Sequence, residues 1–193
     1  KQPPSALTFS LETMRQRTPT VFILVPGPWS DAASIVEALE CQGVPSSIRG
    51  GEQLAHGQIA VELVTDHKLA DGFSWGRRGR LPDDLVQAIG QTHTAALVEV
   101  AHLLDREPNV FARLGRALWK EGGLAVRMEG SGAAAEWQPW LDLIESGVPA
   151  STYQSAVLIA RDDDGTYFTC GMHQFDRPDA QIASDEPGVA LLD

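Results

Sequence analysis

Apolar and polar positions along the chain follow short patterns that predict alternating strands and helices. Residues 21–25 are all apolar and run into Pro26-Gly27-Pro28, which is typical of a buried strand that ends in a turn. A helix is predicted next, because Ser30 or Asp31 can cap its first turn and apolar residues then recur at helical spacing until Gly43. The first clear unit is therefore a strand followed by a helix.

The middle of the chain predicts two further strands separated by a long loop. Residues 59–64 alternate between the two faces of a strand. Residues 65–82 contain several glycines and show no periodicity, which predicts a surface loop. A short helix is predicted over 83–90, with its first residue as the cap. Between 92 and 104 the even-numbered positions are the more apolar, so we expect a strand with that face turned to the core.

Two later helices have the clearest patterns. The first begins at Pro108, carries a single apolar stripe and ends at Gly122-Gly123. A strand at 124–128 and a turn of small residues follow, and the second helix ends at Gly147 with Pro149 just beyond. The apolar face of this second helix consists of Trp137, Trp140, Leu141 and Ile144.

The last pattern is a β-hairpin. Residues 157–160 and 167–170 are rich in strand-forming residues and flank Asp164-Gly165, a pair typical of a tight turn. Because helices alternate with strands before this hairpin, the predicted fold class is α+β, a single domain with helices packed on a mixed or antiparallel sheet. Residues 19–193 are predicted to form this domain. Residues 1–18 are predicted as an N-terminal extension that is either loose or packed as a short strand or helix.

Composition agrees with one folded domain outside the membrane. The 193 residues are 43% apolar and 21% charged, which is enough apolar material for a sizeable core. No run approaches the roughly 18 apolar residues of a membrane helix, so we expect no membrane association. Cys41 and Cys170 are too few for a disulfide framework, which favours reduced thiols in a cytoplasmic protein and leaves one long-range disulfide as the alternative.

Negative charge is the strongest compositional signal. The net charge is −11, and from residue 162 onward eight acidic residues stand against one basic residue. A field of this sign repels nucleic acid and attracts basic proteins, so we expect no direct nucleic-acid binding. The plain alternative is a solvated tail without a partner. The residues predicted to contact a partner are Asp162, Asp163, Asp164, Asp176, Asp179, Asp185 and Glu186.

Residues with catalytic or metal-binding chemistry are few in the sequence. The five histidines include no i, i+4 pair, and Cys170-Gly171-Met172-His173 is the nearest grouping of metal-ligand types. Asp162-Asp163-Asp164 lacks the ligand spacing of a calcium loop, which favours a solvated turn. Trp119, Trp137 and Trp140 are assigned to the core, because they lie on or beside apolar helical stripes. We therefore expect no catalytic residue, no metal and no cofactor.

Three groups of segments carry a family resemblance. They are Phe22-Ile23-Leu24-Val25-Pro26-Gly27-Pro28-Trp29, the strand over 93–100 with the helix over 111–119, and Thr169-Cys170-Gly171-Met172-His173-Gln174-Phe175 followed by Pro178-Asp179-Ala180. Their order resembles a bacterial domain family of unassigned activity, whose members are often encoded near type VI secretion genes. The resemblance covers most of residues 20–183 and brings no catalytic residues with it.

The resemblance implies an immunity protein. The expected function is non-enzymatic: binding and neutralising a type VI secretion toxin by occluding its active or substrate-binding surface. The acidity agrees with a cognate toxin that has a basic surface, such as a DNase or another nuclease. A structural or adaptor domain without a toxin is a further alternative.

An alternative from another class is an enzyme or a small-ligand-binding domain. It would use the 65–82 loop and the Cys170–His173 segment. Such a protein would bring His173 and Cys170 into one pocket with His93 or Asp71.

Overall fold

A computed structural model describes residues 19–76, 81–163 and 165–182. The predicted N-terminal extension at 1–18 lies outside the described residues, as do Asp164, Asp185 and Glu186 among the predicted contacts. In the described ranges no helix is both long and apolar enough to cross a bilayer.

The described residues form nine strands, six α-helices and a short 3-10 helix. The strands are β1 (Val21–Pro26), β2 (Ser47–Ile48), β3 (Ile59–Thr65), β4 (Thr94–Val100), β5 (Val126–Met128), β6 (Ala133–Ala135), β7 (Leu158–Arg161), β8 (Tyr167–Cys170) and β9 (Gln181–Ile182). The helices are α1 (Ala32–Cys41), α2 (Leu69–Gly76), α3 (Asp83–Thr92), α4 (Pro108–Lys120), α5 (Trp137–Glu145) and α6 (Pro149–Ala156), and the 3-10 helix spans Met172–Phe175.

Two sheets organise these elements. The larger sheet has the strand order β2-β3-β4-β1-β5-β6. It is mixed, because β2 and β3 are parallel whereas every other pair of adjacent strands in it is antiparallel. The smaller sheet, β7-β8-β9, is antiparallel and contains the predicted hairpin. One apolar cluster extends from β1 to Phe175, so both sheets share a core. The predicted α+β single domain with a mixed sheet and a C-terminal hairpin is confirmed.

Both faces of the larger sheet are covered by helices. Alternate residues of each strand point to opposite faces, so Ile23 joins the cluster formed with α1, α4 and α5, whereas Leu24 joins the cluster formed with α2 and α3. Ala96, Val98 and Val100, on the even-numbered face of β4, lie in the first cluster, as predicted. The sheet is therefore the middle layer between two unequal helical layers.

Local signals predicted α1, α4 and α5 well. The Asp31 carboxylate accepts a hydrogen bond of 2.8 Å from the Ser34 backbone N–H at the start of α1, and this bond lowers the pKa of that carboxyl. Helix α4 begins at Pro108, and α5 buries the predicted face that includes Trp140. In α1 and α4 a cap or a proline agrees with an apolar stripe, whereas α5 has the stripe and a glycine, Gly147, beyond its end.

The predicted 65–82 loop is wrong over residues 69–76, which form α2. Leu69 and Phe73, one turn apart, anchor this helix on the second core cluster. Gly72 weakens the helical pattern in the sequence, and in the structure the end of the Arg127 side chain lies where a Cβ on Gly72 would be. Tertiary contact here outweighs a weak local pattern.

Smaller corrections concern α3, α6 and β6. Helix α3 starts after Pro82 and runs through Gly90 to Thr92, so neither the predicted cap nor the predicted end is right. Pro149 opens α6, whereas the sequence pattern gave it only as a marker beyond the end of the preceding helix. Strand β6 consists of three alanines, which have low strand propensity and are held in place by pairing with β5.

Candidate functional site

The tip of the β7–β8 hairpin carries two of the predicted contacts. Asp162 closes the turn through its backbone, which donates to the Thr166 carbonyl at 2.8 Å and accepts from the Gly165 N–H at 3.0 Å. Gly165 has φ of 90°, which explains the need for glycine at that position. Asp162 and Asp163 are exposed, and the Asp162 carboxylate also accepts from the Asp163 N–H at 2.8 Å.

The other two described contacts, Asp176 and Asp179, lie beside the 3-10 helix and are exposed. Asp179 has a structural role, because its Oδ1 accepts hydrogen bonds from the Met172 backbone N–H at 3.0 Å and from the Thr169 hydroxyl at 3.2 Å. Asp176 ends the 3-10 helix with a positive φ of 56°. The predicted acidic set is thus divided between the hairpin tip and a segment in which one carboxylate already holds the backbone.

One histidine of the alternative enzyme site, His93, lies apart from the Cys170–His173 segment. His173 packs against Gly130, which follows β5, whereas His93 precedes β4 and its ring contacts that of His67 with centroids 4.8 Å apart. Because β1 is antiparallel to both β4 and β5, the start of β4 and the end of β5 lie at opposite ends of the sheet. The structure therefore does not bring His93 to the Cys170–His173 segment.

An exposed tryptophan is the main feature that the sequence missed. Trp137 and Trp140 are buried as predicted, but Trp119 at the end of α4 keeps 42% of its surface exposed. It lies one position after Leu118, the last residue of the buried stripe of α4, so it points away from the core. The assignment of Trp119 to the core is therefore wrong.

Trp119 lines a groove of about 390 Å³ between α3, the end of α4 and the start of α5. Its apolar lining includes Leu85, Leu124 and Pro139, and its rim carries the carboxylates Asp84 and Glu136. Asp84 lies in the first turn of α3 and Glu136 precedes the first residue of α5, where the helix dipole favours negative charge. Among the described residues that line it, no side chain is basic.

A second groove continues this surface on the other side of Pro139. It has a volume of about 520 Å³, and it lies along β6 between α5 and α6. Asp142, Gln154 and Ser155 are its polar lining residues beside the alanines of β6, and Asp142 accepts a hydrogen bond of 2.7 Å from Gln138. We call the two grooves together the Trp119 surface. It presents an aromatic anchor, apolar walls and three carboxylates.

Several basic side chains are already engaged by carboxylates of the chain. Arg49 donates to Glu62 at 2.7 Å and to Glu99 at 2.9 Å, and these hydrogen bonds raise the pKa of its guanidinium, that to Glu62 most. Hydrogen bonds to Glu145 raise the pKa of Arg116 in the same way. The whole chain has 26 acidic and 15 basic residues, a net charge of −11. The chain therefore has a strongly negative field.

No family model, curated protein or solved structure matches this chain. The resemblance to a family encoded near type VI secretion genes accordingly stays a prediction.

Proposed function

We propose that this chain is a non-enzymatic immunity protein that binds a basic protein toxin, of the type VI secretion class, and occludes its active or substrate-binding surface. The observation that carries the proposal is the Trp119 surface. It joins an exposed tryptophan and apolar grooves to the carboxylates of an acidic protein. The cytoplasm is the proposed location, in agreement with the two free cysteines, Cys41 and Cys170.

The Trp119 surface has the chemistry of a protein interface. Tryptophan is among the residues that most often dominate binding energy, because it buries a large rigid area when a partner covers it. The walls of the groove, including Leu85 and Pro139, are in place to exclude water around such an anchor. A partner that covers Trp119 would gain apolar burial at the centre of the contact.

The carboxylates around Trp119 specify the charge of that partner. Asp84, Glu136 and Asp142 line the two grooves, and the chain adds a strongly negative field. Such a field accelerates encounters with cationic surfaces and disfavours acidic partners. A nuclease fits this description, since it must present lysine or arginine side chains to a phosphate backbone. Inhibition would follow from covering those side chains.

The functional test uses the product of the neighbouring gene in the source genome. We expect that product to arrest growth when expressed alone and to be tolerated when this chain is expressed with it. A neighbouring product that is harmless, or toxic with no rescue by this chain, would contradict the immunity proposal.

Association kinetics then separate the two candidate contact surfaces. Replacing Asp84→Asn and Glu136→Gln together should slow association with the partner several-fold at low salt, and the difference should shrink as salt is added. The matched comparison is Asp162→Asn, Asp163→Asn and Asp164→Asn, which removes the charge of the hairpin tip. An association rate that responds only to the hairpin variant would move the contact from the Trp119 surface to the hairpin.

A further inference from the structure

Two histidines and a glutamate meet where the β3–β4 ladder ends: His102 and Glu107 are near each other in the sequence, and His56 is distant from both. The ladder continues past the strands, because the Ala101 N–H donates to the Gln58 carbonyl at 2.9 Å and the Gly57 N–H donates to the Ala101 carbonyl at 3.0 Å. These bonds hold His56 beside His102, with ring centroids 5.3 Å apart. The backbone thus places the two imidazoles side by side.

A tight turn adds the carboxylate. The Leu103 carbonyl accepts from the Arg106 N–H at 3.2 Å and from the Glu107 N–H at 3.1 Å, just before Pro108 begins α4. This turn returns Glu107 to His102, and Glu107 Oε2 is hydrogen-bonded to His102 Nδ1. The same oxygen lies 4.0 Å from His56 Nε2. One ligand atom from each of the three side chains lies within 4.8 Å of the others.

We propose that His56, His102 and Glu107 bind a divalent transition-metal ion, with Zn²⁺ as the ion that fits best. Two imidazole nitrogens and one carboxylate oxygen are a donor set that zinc takes with a fourth position left for water or an outside group. Nitrogen donors disfavour Ca²⁺ and Mg²⁺, which prefer oxygen.

The spacing of the three groups agrees with this donor set. Ligand atoms around a tetrahedral Zn²⁺ lie about 3.3 Å apart, given bonds of about 2.0–2.1 Å. The observed ligand atoms lie within 4.8 Å of one another, so binding would draw them together by up to about 1.5 Å and would require Glu107 to turn from His102 Nδ1 toward the ion. Because Glu107 is partly exposed on a turn, this movement needs no change in the core.

Burial gives the cluster one closed side and one open side. His102 is only 8% exposed, whereas the side chain of His56 is 70% exposed. A buried ligand restricts the geometry, and the exposed ligand leaves a path for the ion and for a fourth ligand from solvent. The bound ion would also tie the loop before β3 to the turn before α4, and so stabilise the native state by mass action.

The chain contains its own control. His67 and His93 form a comparable pair, with ring centroids 4.8 Å apart, at the other end of the sheet. In the described ranges the His56 cluster is the one group of three potential ligands whose donor atoms converge. The two pairs therefore differ in the presence of a third ligand.

Calorimetric titration of the untagged, chelator-treated chain with Zn²⁺ tests the proposal. We expect one ion per chain, and a loss of affinity of at least about tenfold for His56→Ala and for Glu107→Gln, since second-shell changes alone often cost 10–100-fold. His56 is exposed, so its replacement should leave the circular dichroism spectrum unchanged, and His67→Ala should bind like the wild type. Failure of the wild type to bind, binding that survives both ligand variants, or an equal loss in His67→Ala would each overturn the site. Because the measurement needs no toxin, its outcome is independent of the proposed immunity function.

Discussion

Trp137 and Trp140 lie one turn apart on α5 and are both buried, but their indole N–H groups differ. Trp137 Nε1 donates to the Gly123 carbonyl at 2.7 Å, whereas Trp140 Nε1 is buried with no hydrogen-bond partner among the described residues. Two side chains of one type on one helix therefore isolate the contribution of a single hydrogen bond.

Replacement of each tryptophan by phenylalanine measures that contribution. Both changes remove the same volume, but Trp137→Phe also leaves the Gly123 carbonyl without its donor, while Trp140→Phe removes an unsatisfied group. We expect Trp137→Phe to lower the free energy of unfolding by about 1–2 kcal/mol more than Trp140→Phe. Urea denaturation of the two variants checks this, and equal losses would show that the hydrogen bond contributes little.

Single residues also show where sequence reasoning ends. Trp119 follows Leu118 directly, and a rotation of one residue around the helix moves it from the core to the surface, so an apolar stripe alone could not place it. His56 and Glu107 are 51 residues apart, and they meet only because β3 and β4 pair in one register. Had that register been predicted, Gly57 would have been placed opposite His102.

Among the elements, α4 and α5 form a close helix pair that depends on a glycine. A Cβ on Gly115 of α4 would lie 2.7 Å from Cζ3 of Trp140 and 3.3 Å from Cζ3 of Trp137. Both rings are buried, so neither has free space into which to move. The absence of a side chain at position 115 therefore sets how near α5 approaches.

Alanine at two helical glycines separates packing from helix propensity. Gly115→Ala should destabilise the protein by about 1–3 kcal/mol, because overpacking outweighs the gain in propensity. Gly90→Ala in α3 is the matched control, since its Cβ would meet only the Ala70 Cβ at 3.4 Å, an ordinary contact. We expect that variant to be neutral or stabilised by up to about 1 kcal/mol. Thermal denaturation of both variants measures these changes. A Gly115→Ala protein as stable as the wild type would mean that α4 and α5 can move apart at little cost.

The elements predicted correctly are those whose local signals agree with each other. Helix α4 has a proline at its start, one apolar stripe and glycines beyond its end, and the hairpin has its Asp-Gly turn. Helix α2 and strand β6 lack such agreement, because Gly72 interrupts the one and alanines compose the other. Helix α2 is held by the packing of Leu69 and Phe73 in the second core cluster, and β6 is held by its pairing with β5, and both contacts are visible only in the folded protein.

For the whole molecule, the excess of negative charge is the dominant electrostatic property. The chain holds 26 acidic and 15 basic residues. Exposed ion pairs such as Arg116–Glu145 contribute little to stability. When salt screens charges, the attraction lost from such pairs is therefore smaller than the repulsion removed between the many carboxylates.

Stability should therefore rise with salt. Increasing NaCl from about 10 mM to about 150 mM shortens the Debye length from about 30 Å to about 8 Å and screens repulsion between distant carboxylates. We expect the midpoint of thermal unfolding to increase over that range, measured with a chelator present to keep the His56 cluster free of metal. A midpoint that falls would indicate that attractive pairs outweigh repulsion.

The measurement closest to the central claim is complex formation with the product of the neighbouring gene, compared for three forms of this chain. Trp119→Ala removes the proposed anchor, and Ile48→Ala removes a side chain that is 56% exposed on β2 and lies outside the described lining of both grooves. The account predicts that the wild type and Ile48→Ala form the complex with equal affinity, and that Trp119→Ala binds at least about 30-fold more weakly, as expected for a hot-spot residue. Equal binding by all three forms would contradict the Trp119 surface, and no binding by the wild type would contradict the proposed function itself.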